Sequence, residues 1–169
     1  MCGFVGFLGG RNDCDFDDAT AVLKRMSSTI VARGPDDSGV WSDASSALGL
    51  AHRRLSILDL SPAGHQPMEC PGGRYVIVFN GEIYNHLDLR IELSKIGVSG
   101  TSAGGWRGHS DTETLLAGFA AWGIRATVER CIGMFAFAVW DKRERVLTLG
   151  RDRMGEKPLY YGWQQGGGG

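Results

Sequence analysis

The chain has little cysteine and no CxxC pair: Cys2, Cys14, Cys70 and Cys131 stand far apart in 169 residues. That usage argues against a disulfide framework or a zinc site, and for reduced thiols in the cytoplasm. The four histidines, His52, His65, His86 and His109, miss metal-ligand spacing. No apolar run approaches the roughly 20 residues that span a bilayer. The N-terminus lacks the basic region, apolar core and small-residue cleavage site of a secretory signal. Nor is there an excess of one charge. Lys and Arg number 18 against 19 Asp and Glu, net −1, which leaves no electrostatic footprint for nucleic acid or an anionic membrane. The basic cluster of Lys142, Arg143, Arg145, Arg151 and Arg153 is interleaved with acids and reads as a solvated hairpin. No internal repeat is visible.

What is present suits one globular domain with a sizeable core: 43% hydrophobic and 22% charged residues. Residues 3–8 alternate small and apolar side chains and read as a buried strand. Residues 17–32 read as a helix, with Val22, Met26 and Ile30 joined by Leu23 and Val31 on one face, Asp17 and Asp18 at its start and Gly34-Pro35 at its end. Strands are expected near 39–41 and 47–56, then a Pro/Gly loop over 61–67. Residues 74–79 form a strong strand ending in Asn80-Gly81, a pair that commonly turns the chain. A helix over 84–96 follows, with Leu89 and Leu93 on one face. Ser110-Asp111-Thr112-Glu113 is a capping pattern for a helix over 114–122. A short helix at 125–131, a hairpin of 134–140 with 145–149, and a last strand at 159–163 complete the pass. Strand runs separated by helix pairs predict a layered α+β domain with mostly antiparallel sheets.

Chemistry gathers at the start of the chain, Met1-Cys2-Gly3. Cysteine is small enough for an initiator methionine to be removed, which would make Cys2 both thiol and free α-amine. An α-amine has a reference pKa of about 7.7–8.0 and a thiol about 8.5, so one residue can supply nucleophile and general base. Alone, a cysteine at position 2 reads better as a small buried hydrophobe. Three other patches alter that balance: His52-Arg53-Arg54-Leu55-Ser56-Ile57 at a strand end, Asn80-Gly81-Glu82-Ile83-Tyr84-Asn85 at an expected strand-to-helix turn, and His109-Ser110-Asp111 at a helix start.

Together with Arg33-Gly34-Pro35-Asp36, Gly133-Met134-Phe135-Ala136-Phe137, Arg151-Asp152-Arg153-Met154-Gly155 and the Gly-Glu-Lys-Pro-Leu-Tyr-Tyr stretch, these patches resemble the class II glutamine amidotransferases, which are N-terminal-nucleophile hydrolases. Within that group the chain is most similar to the glutaminase domain of the glutamine-hydrolysing asparagine synthetases. The resemblance implies a four-layer αββα fold. It implies that Cys2 attacks the side-chain amide of L-glutamine, and that Asn80 and the backbone N–H of Gly81 receive the oxyanion. Arg54 would clamp the α-carboxylate with its planar fork. Side chains alternate along a strand, so only one of Arg53 and Arg54 should face the pocket, and the motif spacing favours Arg54. Glu82 and Asp111 would accept the α-ammonium, although Asp111 also suits the first turn of a helix. Leu55, Ser56, Ile57 and Leu58 would lie along the substrate. Arg33, Asp36, Asn85 and His86 read as scaffold.

No cofactor or metal is implied in this domain. ATP and magnesium are implied in a C-terminal synthetase domain, which would be the partner receiving ammonia to amidate aspartate. Residues 166–169 are four glycines and read as a linker start, so residues 2–169 read as an N-terminal fragment without the end of its domain. A homodimer stays open, as does another acceptor such as a sugar acid. If Met1 is retained, the chain reads as a non-catalytic glutamine-binding module.

Overall fold

Side-chain alternation along one strand organises the molecule. A computed structural model describes residues 2–9, 19–56, 61–100 and 105–163. Its elements run β1 (Gly3–Leu8), α1 (Ala19–Ser28), β2 (Asp37–Asp43), β3 (Leu48–Arg54), β4 (Met68–Glu69), β5 (Tyr75–Ile83), α2 (His86–Lys95), α3 (Asp111–Trp122), α4 (Ile124–Arg130), β6 (Gly133–Asp141) and β7 (Val146–Arg151). Two antiparallel sheets form, ordered β1-β3-β2 and β4-β5-β6-β7. Along β5, Val76 and Val78 meet Leu48, Leu50, Ala138 and Trp140 between the sheets. Tyr75, Ile77 and Phe79 face the other way, onto Leu89, Leu115, Leu116 and Phe119 of the helices. Helix α1 covers the outer face of the first sheet, and α3 covers that of the second with α2 and α4 beside it. The layers are therefore α, β, β, α, the arrangement expected from the family resemblance.

The core is aromatic at its centre. Phe119 lies 5.8 Å from Phe137, and Phe137 lies 6.1 Å from Phe135, ring centroid to ring centroid. Fully burying one such side chain stabilises a fold by about 1.5–3 kcal/mol. Helix α3 is buried from Asp111 to Phe119, and Ser110 caps it by accepting the Thr112 N–H at 3.2 Å.

Several expectations need correction. Helix α1 stops at Ser28 rather than near residue 32, because the hydroxyls of Ser27, Ser28 and Thr29 donate to the carbonyls of Lys24, Arg25 and Met26. These bonds compete with the helical ladder, and the chain tightens into a separate turn at Val31–Arg33. Its buried face is Ala19, Leu23 and Ser27, with Val22, Met26 and Ile30 half-buried and Val31 exposed. Asp17 and Asp18 lie outside the described residues. Strand β1 has the expected bounds, but its residues alternate in exposure because it lies at the edge of its sheet. Residues 159–163 form no strand, and Tyr160, Tyr161 and Trp163 are exposed, since β propensity gives a strand only beside a pairing edge.

The largest correction concerns Asn80-Gly81. It is not a turn: β5 continues through it, pairing Asn80 with Ala136 and Gly81 with Phe135, and the chain turns only at residues 84–85. Gly81 is needed for closeness to β6, where a Cβ would sit 2.3 Å from the Met134 carbonyl oxygen.

Candidate active site

The two sheets end together at one pocket, which the starts of β1, α3 and β6 also reach. Register delivers Cys2 there. Gly3 pairs with Arg53, so Cys2 stands beside the end of β3, where the Leu55 N–H donates to its sulfur at 3.3 Å and its thiol reaches the Leu55 carbonyl at 3.5 Å. Cys2, Cys70 and Cys131 are free thiols; Cys2 is half-buried and the other two are buried. Burial pushes the Cys131 thiol up to about 12, which keeps it protonated at neutral pH.

The two arginines at the end of β3 part company as alternation requires. Arg53 donates from Nε to the Ser27 carbonyl of α1 at 3.2 Å. Arg54 turns into the pocket wall, 8% exposed, and donates from Nη1 to the Ser61 carbonyl at 3.0 Å. Gly64 makes room for it, because a Cβ there would lie 2.1 Å from Nη2. Asp36 braces the same strand end: its N–H donates to the Arg54 carbonyl, and its carboxylate accepts the Ser56 N–H at 2.8 Å. Asp37 holds His65 at 2.7 Å. Burial works to raise the Asp37 carboxyl, but the His65 hydrogen bond and charge outweigh it and hold the group below its usual range.

Across the pocket, β5 presents a row of backbone donors. The Phe79 N–H donates to Gln66 Oε1 at 2.7 Å, and the Ile83 N–H donates to Asp111 Oδ2 at 2.9 Å. Both leave the edge of β5 away from β6. With a period of two, the Gly81 N–H between them leaves the same edge, into the pocket that Gly81 lines. Asn80 follows Val76 and Val78 onto the inner face of the sheet, the side on which Cys2 stands, and is 6% exposed. A side-chain amide and a backbone N–H thus converge near one thiol.

The pocket also holds acids. Asp111 is 5% exposed, and its Oδ1 accepts the Thr112 N–H at 2.8 Å. Burial pushes its carboxyl up to about 6; the Ile83 and Thr112 N–H groups work against that rise, and the nearby Glu82 charge adds to it. Glu82 is half-buried in the pocket wall. Beside it, burial and then the Arg90 charge hold the His86 imidazole below its usual range. Asn85 is structural: its side chain donates to the Arg130 carbonyl and accepts the Ile132 N–H.

Of the residues proposed from sequence, Cys2, Arg54, Leu55, Asn80, Gly81, Glu82 and Asp111 line this one pocket. Ser56 does not line it; its N–H is held by Asp36 instead. Ile57 and Leu58 lie outside the described residues. Sequence reasoning missed Gln66, Thr112 and Lys157, which line the pocket and are buried. Gln66 sat in an expected loop, and only its place between two structured segments could have drawn notice. Lys157 lies in the Gly-Glu-Lys-Pro-Leu-Tyr-Tyr stretch. Its N–H is held by Asp152, whose carboxylate also accepts the Phe135 and Glu156 N–H groups. Among the described residues, no group of three or more His, Cys, Asp or Glu side chains is placed to hold a metal ion, and no helix is long and apolar enough to cross a membrane.

Comparison with known proteins matches residues 1–168 to the family described as "Glutamine amidotransferase domain". The chain is 39% identical over 95% of its length to "Asparagine synthetase [glutamine-hydrolyzing] 3" of Bacillus subtilis (strain 168), of which it covers 25%. It is 40% identical over 99% of its length to "Putative asparagine synthetase [glutamine-hydrolyzing]" of Mycobacterium bovis, covering 26% of that protein. It is also 34% identical over 95% of its length to "Amidase chry2" of Gibberella zeae, covering 24%. The chain therefore spans about a quarter of the length of these relatives.

Proposed function

The chain belongs to the glutamine amidotransferase domain family, and from that premise we propose that it hydrolyses the side-chain amide of L-glutamine at the Cys2 pocket. The observation that carries this reading is the convergence of the Cys2 sulfur, the Asn80 carboxamide and the Gly81 N–H on one pocket that also holds a buried arginine and a buried carboxylate. With Met1 removed, the Cys2 sulfur attacks the amide carbon and its α-amine takes the thiol proton. The carbonyl oxygen becomes an oxyanion that accepts from Asn80 and Gly81. The α-amine passes the proton to the leaving nitrogen, ammonia departs, and a γ-glutamyl thioester remains on Cys2. Water cleaves it to glutamate. Arg54 pairs with the α-carboxylate, and Glu82 and Asp111 receive the α-ammonium.

The relatives' names support a larger reaction around this chemistry. Ammonia would pass to a synthetase portion that adenylates aspartate. The ATP and magnesium of that step would be held by that synthetase portion. The relative named as an amidase favours keeping a second acceptor class in view, another carboxylate chosen by that same portion. The scattered thiols fit a cytoplasmic setting.

The direct test is to incubate the chain with L-glutamine and quantify glutamate and ammonia, with glutaramate, which lacks the α-amine, as a control. Equal amounts of both products from glutamine, and none from glutaramate, are expected. A folded chain without Met1 that releases neither would overturn the reading.

Asp111 supplies a pH signature. Its carboxyl titrates at about 6 in the free protein, and only the ionised form attracts an ammonium group. Bound substrate favours ionisation and lowers that value. Glutamine affinity should therefore be flat between about pH 7 and 7.5 and weaken as pH falls through 6, by at most about tenfold per unit. Calorimetric titration of the Cys2→Ala protein from pH 7.5 to 5 measures this, and Asp111→Asn should weaken binding at neutral pH and flatten the profile.

A further inference from the structure

Strand β4 pairs with β5 only at Val76 and Ile77, so beyond Ile77 that edge of β5 has no neighbouring strand among the described residues. A side chain takes its place. Gln66, two residues before β4 and 6% exposed, accepts the Phe79 N–H on Oε1 at 2.7 Å and donates from Nε2 to Thr112 Oγ1 at 3.3 Å. The Phe79 carbonyl lies 3.0 Å from Nε2 of His52, which is 0% exposed. A carbonyl only accepts, so the imidazole donates there and carries its proton on Nε2. Both backbone groups of Phe79 on the pocket edge are thus held by side chains from other elements. Past Gly81, Ile83 is held directly by Asp111 of α3. The first turn of α3 grips β5 on either side of Gly81: through Thr112 and Gln66 before it, and through Asp111 after it.

We propose that Gln66 is a positioning residue for the oxyanion donors, fixing the Phe79-Asn80-Gly81 backbone relative to α3 so that the Asn80 amide and the Gly81 N–H stay aimed at the tetrahedral intermediate. The inference rests on the glutamine-hydrolysing reading above. It predicts a particular split. A displaced donor weakens the transition state more than the bound substrate, because the oxyanion exists only in the former. A contact to glutamine would shift binding instead, and a purely architectural role would shift stability.

The test uses the full chain. Gln66→Met keeps the length and apolar volume of the side chain but removes both hydrogen bonds. Thr112→Val removes only the acceptor on α3 and keeps the shape. In Gln66→Met, kcat for glutamate release should fall by about tenfold or more, a size in keeping with small misplacements of catalytic groups. Glutamine Kd, measured on a Cys2→Ala background, should stay within about threefold. Thr112→Val should lower kcat in the same direction by a smaller factor. If Gln66→Met does not fold, Thr112→Val decides alone. Folded variants with wild-type kcat, or with Kd weakened as much as kcat falls, overturn the inference while leaving the glutamine reading intact. A wild type without glutaminase activity overturns that reading, and this inference with it.

Discussion

Cys2→Ala is expected to abolish glutamate release while leaving glutamine bound. The substitution removes the sulfur and keeps the α-amine, so it separates nucleophile from base. Without a nucleophile, no thioester can form, and a water in the same pocket would have to attack an unactivated amide. Cys2 is surrounded by the groups that grip substrate without being one of them: Arg54 and Asp111 are fixed by the Ser61 carbonyl and by the Ile83 and Thr112 N–H groups. Affinity should therefore survive within about threefold, whereas turnover falls to background, a loss of several orders of magnitude. Intact mass must accompany the assay, because a retained Met1 would convert the α-amine to an amide and silence the wild type as well. Alkylation gives a second reading. Cys70 and Cys131 are buried, so an electrophile should mark Cys2 ahead of them, glutamine should slow the labelling, and peptide mapping would separate Cys2 from Cys14. A Cys2→Ala protein that still turns over glutamine would end the assignment.

Asn80→Ala should lower kcat by about 10²–10³, equivalent to roughly 2.7–4 kcal/mol of lost transition-state stabilisation, with little change in glutamine affinity. Asn80 is the appropriate probe of the oxyanion site because its side chain can be removed without disturbing the strand. Gly81 is not: a Cβ there would lie 2.3 Å from the Met134 carbonyl and 2.6 Å from the Phe135 Cα, so Gly81→Ala would shift β5 against β6 and confuse catalysis with folding. Asn80→Asp should be worse than Asn80→Ala, since it replaces a donor with a negative charge facing the developing oxyanion. Single-turnover measurements would place the loss in the attack step. A kcat within threefold of wild type for Asn80→Ala would remove Asn80 from the mechanism.

Local physics makes much of this fold and site legible in the residues alone. The alternation of β5, the serine cap of α3 and the layered class all depend on periodicities of two and 3.6 residues, or on neighbours in sequence; alternation separates Arg53 from Arg54, and the motif of the family resemblance names Arg54 as the one toward the pocket. Elsewhere a non-local interaction overrides a local preference. Asn80-Gly81 has the composition of a turn, yet pairing with Ala136 and Phe135 across the sheet keeps it extended. Residues 159–163 have the composition of a strand, yet they lie beside no pairing edge and stay irregular and exposed. Helix α1 is a different case. It ends early through hydroxyl-to-carbonyl bonds, which are local but whose sum a periodicity count does not weigh.

By itself the sequence determined the inventory of this protein: an α+β domain, a thiol next to the start of the chain, an Arg fork, an Asn-Gly pair and a capped helix with acids in its first turn. Tertiary structure decided the geometry that makes the inventory chemical. It set which way the Gly81 N–H points, through strand parity between Phe79 and Ile83. It raised the Asp111 carboxyl to about 6, through burial. It also brought Gln66 13 positions along the chain to Phe79 and 46 to Thr112. Those three results depend on pairing and packing between segments far apart in sequence, which no window along the chain contains.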